Sequence, residues 1–566
     1  VDHTQPETNR PRGWTLLASR NRLILATALW LLAFANWPFW RTVWQGVGGL
    51  REGNGLFLLS LPLFVLCWLF LLLSLFAWGR LTKPVLIVAL LVSAAASYFM
   101  NSYGIVIDYS MLTNLVQTDT AEASELLSGK LVLWLLGFGV LPAVLLSRVR
   151  LAPRSWRREL GAKALGILVA VAGLGAVAFS QYQPYASLVR NHHELRLMLT
   201  PSNVVAAVQS YTRRQLAEPQ TLQVVGADAH RRVPVSPTRR PRLTILVVGE
   251  TARAANFALD GYGRDTNPEL SRRKVLNFTQ ASSCGTATAV SLPCMFLDVG
   301  QQGYRDGLAK HREGLLDVLQ RAGVAVLWRD NNSGCKGTCD RVPHEDVDHL
   351  KVADLCNSEE CHDGILLHGL QAYLDAQQDD TVVVLHMKGS HGPAYYKRYP
   401  AEFEHFTPVC ASNQLDRCDR QSIVNAYDNS LRYTDHVLAQ TIDLLAQNEA
   451  RFDTAMLYLS DHGESLGENG IYLHGLPYAM APNEQTHIPM LLWLSDGMRR
   501  SAAVDDACLQ AARQQPVSQD NLFHSVLGLM NVETSAYHPE QDLLSACEPG
   551  AGKLLAARTE DHGQVN

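Results

Sequence analysis

The sequence predicts two unlike parts, an N-terminal domain of five transmembrane helices and a C-terminal α/β domain with a mainly parallel central sheet. Three observations predict this. Apolar runs near residues 23–43, 56–78, 84–101, 128–147 and 163–181 fill the first third of the chain. All but one of the 11 cysteines fall after residue 280. Beyond residue 238, short apolar runs that end in polar residues alternate with helical ones.

Each apolar run is close to the ~20 residues that cross a bilayer as a helix. Because several runs follow the first, a cleaved signal peptide is a poor alternative. Basic residues set the orientation. Arg10, Arg12, Arg20 and Arg22 precede the first run, and Arg80 and Lys83 lie between the second and third. Arg148, Arg150, Arg154, Arg157, Arg158 and Lys163 cluster between the fourth and fifth. Arginine-rich loops stay in the cytoplasm. The N-terminus is therefore expected inside, and everything after residue 182 or so outside. Trp37 and Trp40 read as interfacial anchors.

The cysteines agree independently. Cys67 lies in the second run; the others are Cys284, Cys294, Cys335, Cys339, Cys356, Cys361, Cys410, Cys418, Cys508 and Cys547. An even set at short spacings in an external domain reads as disulfides. The competing reading, a zinc–cysteine site, lacks a paired CxxC motif. Pairing by proximity in sequence leaves Cys508 with Cys547. The formal net charge of −5 over 566 residues offers no basic excess for nucleic acid.

These boundaries give a membrane domain over 1–183, a connector with amphipathic helices over 184–238, and an external domain over 239–566 whose tail after about residue 552 is expected to be disordered. In the last, "LTILVVGE" (243–250), "VAVLWRDN" (324–331), "TVVVLHMKG" (381–389) and "AMLYLSDHG" (455–463) read as buried strands. "GLLDVLQRAG" and the run from Ser422 to Gln447 read as helices. Such alternation builds a parallel sheet, and ligands sit outside the carboxyl ends of its strands. No nucleotide-binding glycine loop is present.

Polar residues at those ends carry the chemistry. Glu250 ends one strand; Asp461 and His462 end another. Singly, a Glu after a strand caps a helix and an Asp-His pair decorates a loop. Together they are ligand types that zinc accepts. "SSCGTATAVSLPC" (282–294) places two hydroxyls, Thr286 and Thr288, between two cysteines. A cation beside such a hydroxyl lowers its pKa and makes it a nucleophile.

The motifs "VVGETARAANFALDGYGRDTNPEL", "SCGTATAVSLPCMF", "WRDNNSGCKGTCD", "GSHGPAYYKRYP" and "SDHGESLGENGIYLHG" resemble the lipid A phosphoethanolamine transferases. These are inner-membrane enzymes that include the mobile colistin-resistance proteins. The resemblance covers nearly the whole chain and implies an alkaline-phosphatase-like (sulfatase-like) fold for the external domain. It implies that Glu250, Thr288, Asp461 and His462 bind zinc, that Thr288 is the nucleophile, and that Thr286 supports it. His391 and His474 match histidines that contact the donor head group or a second zinc, with His474 a candidate to protonate the leaving group. Asn332, Ser333 and Lys336 match residues around the phosphate; Asn114, Thr118 and Glu122 match a loop that holds the ethanolamine.

The residues themselves fit these roles. Asn114, Thr118 and Glu122 fall at i, i+4 and i+8, on one helical face, where a carboxylate could receive an ammonium; a solvated face is the plain alternative. Lys336 could neutralise a phosphate oxygen or be a surface lysine, and His391 and His474 could be ordinary loop histidines. Tyr395, Tyr396, Lys397 and Arg398 could meet lipid headgroups or form an amphipathic surface. His386 and His487 read as structural.

The implied reaction moves phosphoethanolamine from phosphatidylethanolamine to a lipid A phosphate through a phosphothreonine-type intermediate. It uses one zinc ion, with room for a second. The expected setting is the bacterial inner membrane, with a cytoplasmic N-terminus, a periplasmic catalytic domain and a monomeric chain among membrane lipids. The expected outcome is a less anionic surface and resistance to polymyxin. Another acceptor, a lipopolysaccharide core sugar or a protein, remains open, as do a glycerol-phosphate transferase and a non-catalytic binding module.

Overall fold

The computed structural model describes residues 17–47, 55–117, 120–216, 221–232, 239–357 and 360–548. Arg10, Arg12 and the tail after residue 552 lie outside these. The chain divides into two compact units, one of residues 1–108 and 127–208, the other of residues 109–126 and 209–566.

In the first unit, Gly55–Phe76, Gly79–Tyr103, Gly129–Arg148 and Trp156–Ser180 are long and apolar enough to cross a membrane. The first expected span is instead a pair of helices, Arg20–Ala35 and Trp37–Gln45, bent by 60°. Counting that pair as one, the described residues hold up to five spans. Asn36 explains the break. Its buried amide donates to the carbonyls of Leu31 (3.0 Å) and Thr200 (3.1 Å) and accepts from the Thr200 N–H (2.7 Å). Pro38, the second residue of the following helix, has no N–H to continue the ladder from the first.

The second unit is built on a seven-stranded sheet. Its strands in chain order are β1 (Arg242–Gly249), β2 (Leu276–Asn277), β3 (Ala325–Asp330), β4 (His344–Asp346), β5 (Thr381–His386), β6 (Asp453–Ser460) and β7 (Met490–Leu494). The order across the sheet is β2-β7-β6-β1-β5-β3-β4. From β6 to β4 the neighbours are parallel; β7 runs antiparallel to both β6 and β2. The four long strands expected from sequence are the four central ones, and β2, β4 and β7 extend them at the edges.

The central strands are apolar throughout because both faces are covered. Period-two alternation still sorts them. Leu246 and Val248 of β1, Val382 and Val384 of β5, and Leu457 and Leu459 of β6 enter one core with Phe296, Leu315, Phe523 and Leu527. Ile245, Val247, Val383, Leu385, Met456 and Tyr458 enter the other, with Ile423, Tyr427, Leu431 and Leu438. Those last four belong to the long helix Arg420–Gln447, whose first turn is capped by Asp419 accepting from the Ser422 N–H.

Five disulfides join Cys284–Cys294, Cys335–Cys339, Cys356–Cys361, Cys410–Cys418 and Cys508–Cys547. All lie in this unit. Cys67 is free.

After β6 the chain folds back so tightly that a Cβ on Gly463 would sit 2.1 Å from the Glu484 carbonyl oxygen, which is backbone and cannot swing away. Gly463→Ala is expected to lower stability by about 1–3 kcal/mol through this overlap, seen as a lower thermal midpoint of the purified protein. An unchanged midpoint would contradict the tight return of this loop.

Candidate metal centre and nucleophile

Residue Gly249 of β1 pairs with Ser460 of β6, so the next residues out, Glu250 and Asp461, leave adjacent parallel strands side by side. His462 follows at once. All three side chains are fully buried. Their backbone turns are fixed locally. Thr251, at φ +60°, donates its N–H to Asp461 Oδ1 (3.0 Å) and its hydroxyl to Glu250 Oε1 (2.6 Å). His462 Nδ1 faces the Gly463 carbonyl at 2.9 Å. With the proton on Nδ1, Nε2 turns a bare lone pair into the cluster, the arrangement of a metal-binding imidazole.

Thr288 comes from elsewhere. It is the first residue of helix α1 (Thr288–Met295), where unpaired backbone N–H groups favour negative charge. The Cys284–Cys294 disulfide closes the loop around it. Thr288 Oγ1 lies 3.1 Å from Glu250 Oε2, to which it donates, and 3.4 Å from His462 Nε2. Thr286 has a different partner: its hydroxyl donates to the Leu476 carbonyl (2.6 Å), and its own carbonyl accepts from the Gly475 N–H. It anchors the loop that carries His474.

The cluster fits a divalent cation. His462 Nε2 is 3.4 Å from Glu250 Oε1 and 3.2 Å from Asp461 Oδ2. Zinc–oxygen and zinc–nitrogen bonds of ~2.0–2.1 Å at tetrahedral angles require ligand atoms about 3.3–3.4 Å apart. Asp461 Oδ2 is buried and accepts no hydrogen bond among the described residues. Burial and the neighbouring Glu250 charge push the Asp461 carboxyl up to about 7. Burial pushes Glu250 up too, but the imidazoles of His462, His391 and His474 outweigh it and hold that carboxyl low, at about 2. Two buried carboxylates facing one lone pair are costly alone and suited to a cation.

The remaining expected residues ring this cluster. The His474 ring lies 4.2 Å from that of His462 and 5.8 Å from that of His391. Burial, reinforced by the His462 charge, lowers the His474 pKa to about 3. Asn332 reaches the cluster directly: its amide donates to Glu250 Oε2 (2.9 Å) and to the Met387 carbonyl (2.9 Å). Ser333 and Lys336 share its loop, with Lys336 Nζ 2.9 Å from Ser333 Oγ. Asn114 lies on the helix Tyr109–Gln117; a Cβ on Gly475 would come within 3.6 Å of its Nδ2. Thr118 and the side chain of Glu122 lie outside the described residues. Tyr395 and Arg398, read as headgroup contacts or surface, are instead buried.

Four supporting residues were not singled out from sequence for this role. Asp330 Oδ2 accepts from His386 Nδ1 (2.9 Å) and the Trp328 indole, and His386 Nε2 lies 3.4 Å from the Asn332 amide. Glu464, fully buried, is 3.4 Å from His474 Nδ1, and burial drives its carboxyl well above the usual range. Gln519 ties the parts together: its amide donates to the carbonyls of Ser460 and Asp461 (2.7 Å each) and its oxygen accepts from the Cys284 N–H (2.7 Å). A lone glutamine carries no sequence pattern that reveals this. Gly389, at φ +52°, allows the His391 loop to pass Glu250; a Cβ there would lie 2.5 Å from the Glu250 carbonyl oxygen.

Comparisons with known proteins agree with this architecture. The Sulfatase family profile matches residues 242–532, and the profile described as phosphoethanolamine transferase EptA/EptB matches residues 65–216. Phosphoethanolamine transferase EptA of Escherichia coli K12 is 46% identical over 526 residues, 93% of this chain and 96% of its own. Phosphatidylethanolamine transferase Mcr-1 of Escherichia coli is 40% identical over 486 residues, 83% of this chain and 89% of its own. The solved structure of the integral membrane lipooligosaccharide phosphoethanolamine transferase A (EptA) of Neisseria meningitidis matches with a TM-score of 0.91. That match has 38% identity and covers 94% of this chain and 99% of that one.

Replacing Gln519 by Leu leaves one N–H and two carbonyls buried and unpaired, each worth about 1–3 kcal/mol. Gln519→Leu is expected to lower the thermal midpoint and to weaken zinc retention in competition with a chelator by at least about tenfold. Unchanged retention would show that the two loops hold their geometry without it.

Proposed function

The chain belongs to the EptA phosphoethanolamine transferases of the sulfatase superfamily, and from that premise we propose the donor, acceptor and residue roles of its reaction. The donor is phosphatidylethanolamine, the acceptor is a phosphate of lipid A, and the cation is zinc held by Glu250, Thr288, Asp461 and His462. The observation that carries this reading is the convergence of those four ligand atoms on one point from three separate stretches of chain.

When bound, the zinc ion supplies positive charge that lowers the pKa of the Thr288 hydroxyl and offsets charge on the phosphoryl oxygens. Thr288 Oγ1 attacks the donor phosphorus. The bond from phosphorus to the diacylglycerol oxygen breaks, and the group now sits on Thr288 as a phosphodiester. His474, held neutral by burial, takes the proton that leaves Thr288 and hands it to the departing diacylglycerol oxygen, with His391 beside it. Lys336 and Ser333 face the phosphoryl oxygens, and Asn332 holds Glu250 in place. Asn114, Thr118 and Glu122 receive the ethanolamine head group. In a second step an oxygen of the lipid A phosphate attacks the same phosphorus and frees Thr288, which regains its proton.

Both substrates are lipids, which accounts for a membrane-spanning unit in the same chain. The arginine-rich loops and five disulfides support a cytoplasmic N-terminus and a periplasmic catalytic unit in a bacterial inner membrane. Every group named comes from one chain, so a monomer suffices. The product gains an ammonium, the outer surface loses negative charge, and cationic peptides such as polymyxin bind it less.

Thr288→Ala is expected to reduce transfer by at least about a thousandfold. The readout is the mass increment of one phosphoethanolamine on lipid A from cells expressing the variant. Continued full modification would remove Thr288 from the mechanism. An increment on core sugar or protein, with lipid A unmodified by the native chain, would reassign the acceptor.

A further inference from the structure

Arg398 is only 4% exposed, and its donors reach in three directions. Nε donates to the His391 carbonyl at 2.8 Å. One terminal nitrogen meets Glu360, which also pairs with Lys388 at 3.2 Å. The other donates to both carboxylate oxygens of Glu125, at 2.7 and 2.6 Å. Glu125 ends the short helix Thr120–Glu125, and its backbone carbonyl accepts from Asn413 Nδ2 at 2.6 Å.

Residues 109–126 arise in sequence between two membrane spans, yet they group with the catalytic unit. Several contacts hold them there. The helix Tyr109–Gln117 packs on helix α1, and Met111 and the Asn114 amide approach Gly475, next to His474. At the other end Asn413 holds the Glu125 carbonyl, and Arg398 makes a buried, bidentate pair with the Glu125 carboxylate. Charge-assisted forks of this kind fix orientation as well as distance. A lysine ammonium has no planar fork with which to serve a carbonyl and two carboxylates at once. Removing one member strands a buried charge.

We propose that Arg398 is a positioning residue that pins the 109–126 segment to the catalytic unit and, through the His391 carbonyl, keeps the head-group contacts in register with Thr288. The proposal rests on the reading of that segment as the head-group site. Arg398 touches no reacting atom. It acts through Glu125 on one side and His391 on the other. Loss of the clamp weakens donor binding more than it slows the chemical step.

The test uses the full-length protein in mixed micelles containing phosphatidylethanolamine at varied mole fraction. Glu125→Gln and Arg398→Lys are each expected to raise the KM for the donor by at least about fivefold, with a smaller change in kcat. The double variant is expected to be no worse than Arg398→Lys alone, because both remove one contact. Hydrogen exchange of the 109–126 amides is expected to quicken in all three. A lower thermal midpoint with unchanged KM and exchange would mark a merely structural ion pair and overturn the proposal, as would additive effects. Asn114→Ala separates the underlying reading: if it leaves KM unchanged, the head-group assignment fails, while exchange in 109–126 still reports the clamp. Should Arg398→Lys not fold, Glu125→Gln decides alone.

Discussion

Two carboxylates, Glu250 and Asp461, leave neighbouring parallel strands at the same height and are both removed from water. Like charges at that range in a poor dielectric repel strongly, and the basic group within reach of both is the His462 imidazole, 3.4 Å from Glu250 Oε1 and 3.2 Å from Asp461 Oδ2. The structure aims the lone pair of His462 and the hydroxyl of Thr288 at the same point. A divalent cation bound there would resolve the repulsion and turn a costly arrangement into a binding site. Much of the catalytic unit can be understood as what holds these four groups still.

The supports act in layers. The parallel register fixes Glu250 against Asp461. Gln519 bridges the Asp461 loop to the Cys284 loop, and the Cys284–Cys294 disulfide limits the wander of the helix that begins at Thr288. On the far side, Asp330 and His386 hold Asn332, which holds Glu250. Displacements of about 1 Å at a reacting centre cost up to a hundredfold in rate, which gives a reason for so many buried polar bonds outside the reacting groups themselves.

Much of this was legible in the sequence, for identifiable reasons. Parallel strands covered on both faces are continuous apolar runs, so β1, β3, β5 and β6 stood out with ends within a few residues of those observed. Strand ends are where ligands gather, which singled out Glu250, Asp461 and His462. The threonine was legible only as one of two; the choice of Thr288 over Thr286 came from motif resemblance, and the Thr286 hydroxyl is engaged by the Leu476 carbonyl. Other features were hidden. β7, "MLLWL", is a short apolar run that periodicity does not separate from a buried helix. The bend at Asn36 depends on a partner more than 160 residues away. Gln519 and Arg398 are single polar residues whose importance arises only from what the fold brings to them, and Arg398 misled because its neighbours read as an amphipathic surface.

The most direct test of the account is anomalous diffraction at the zinc edge from crystals of the intact protein grown with zinc. The account predicts a strong peak within about 2.0–2.2 Å of the ligand oxygens of Glu250, Asp461 and Thr288 and of Nε2 of His462. A zinc-replete crystal with no peak at that point, or with the metal bound away from these four residues, would contradict it.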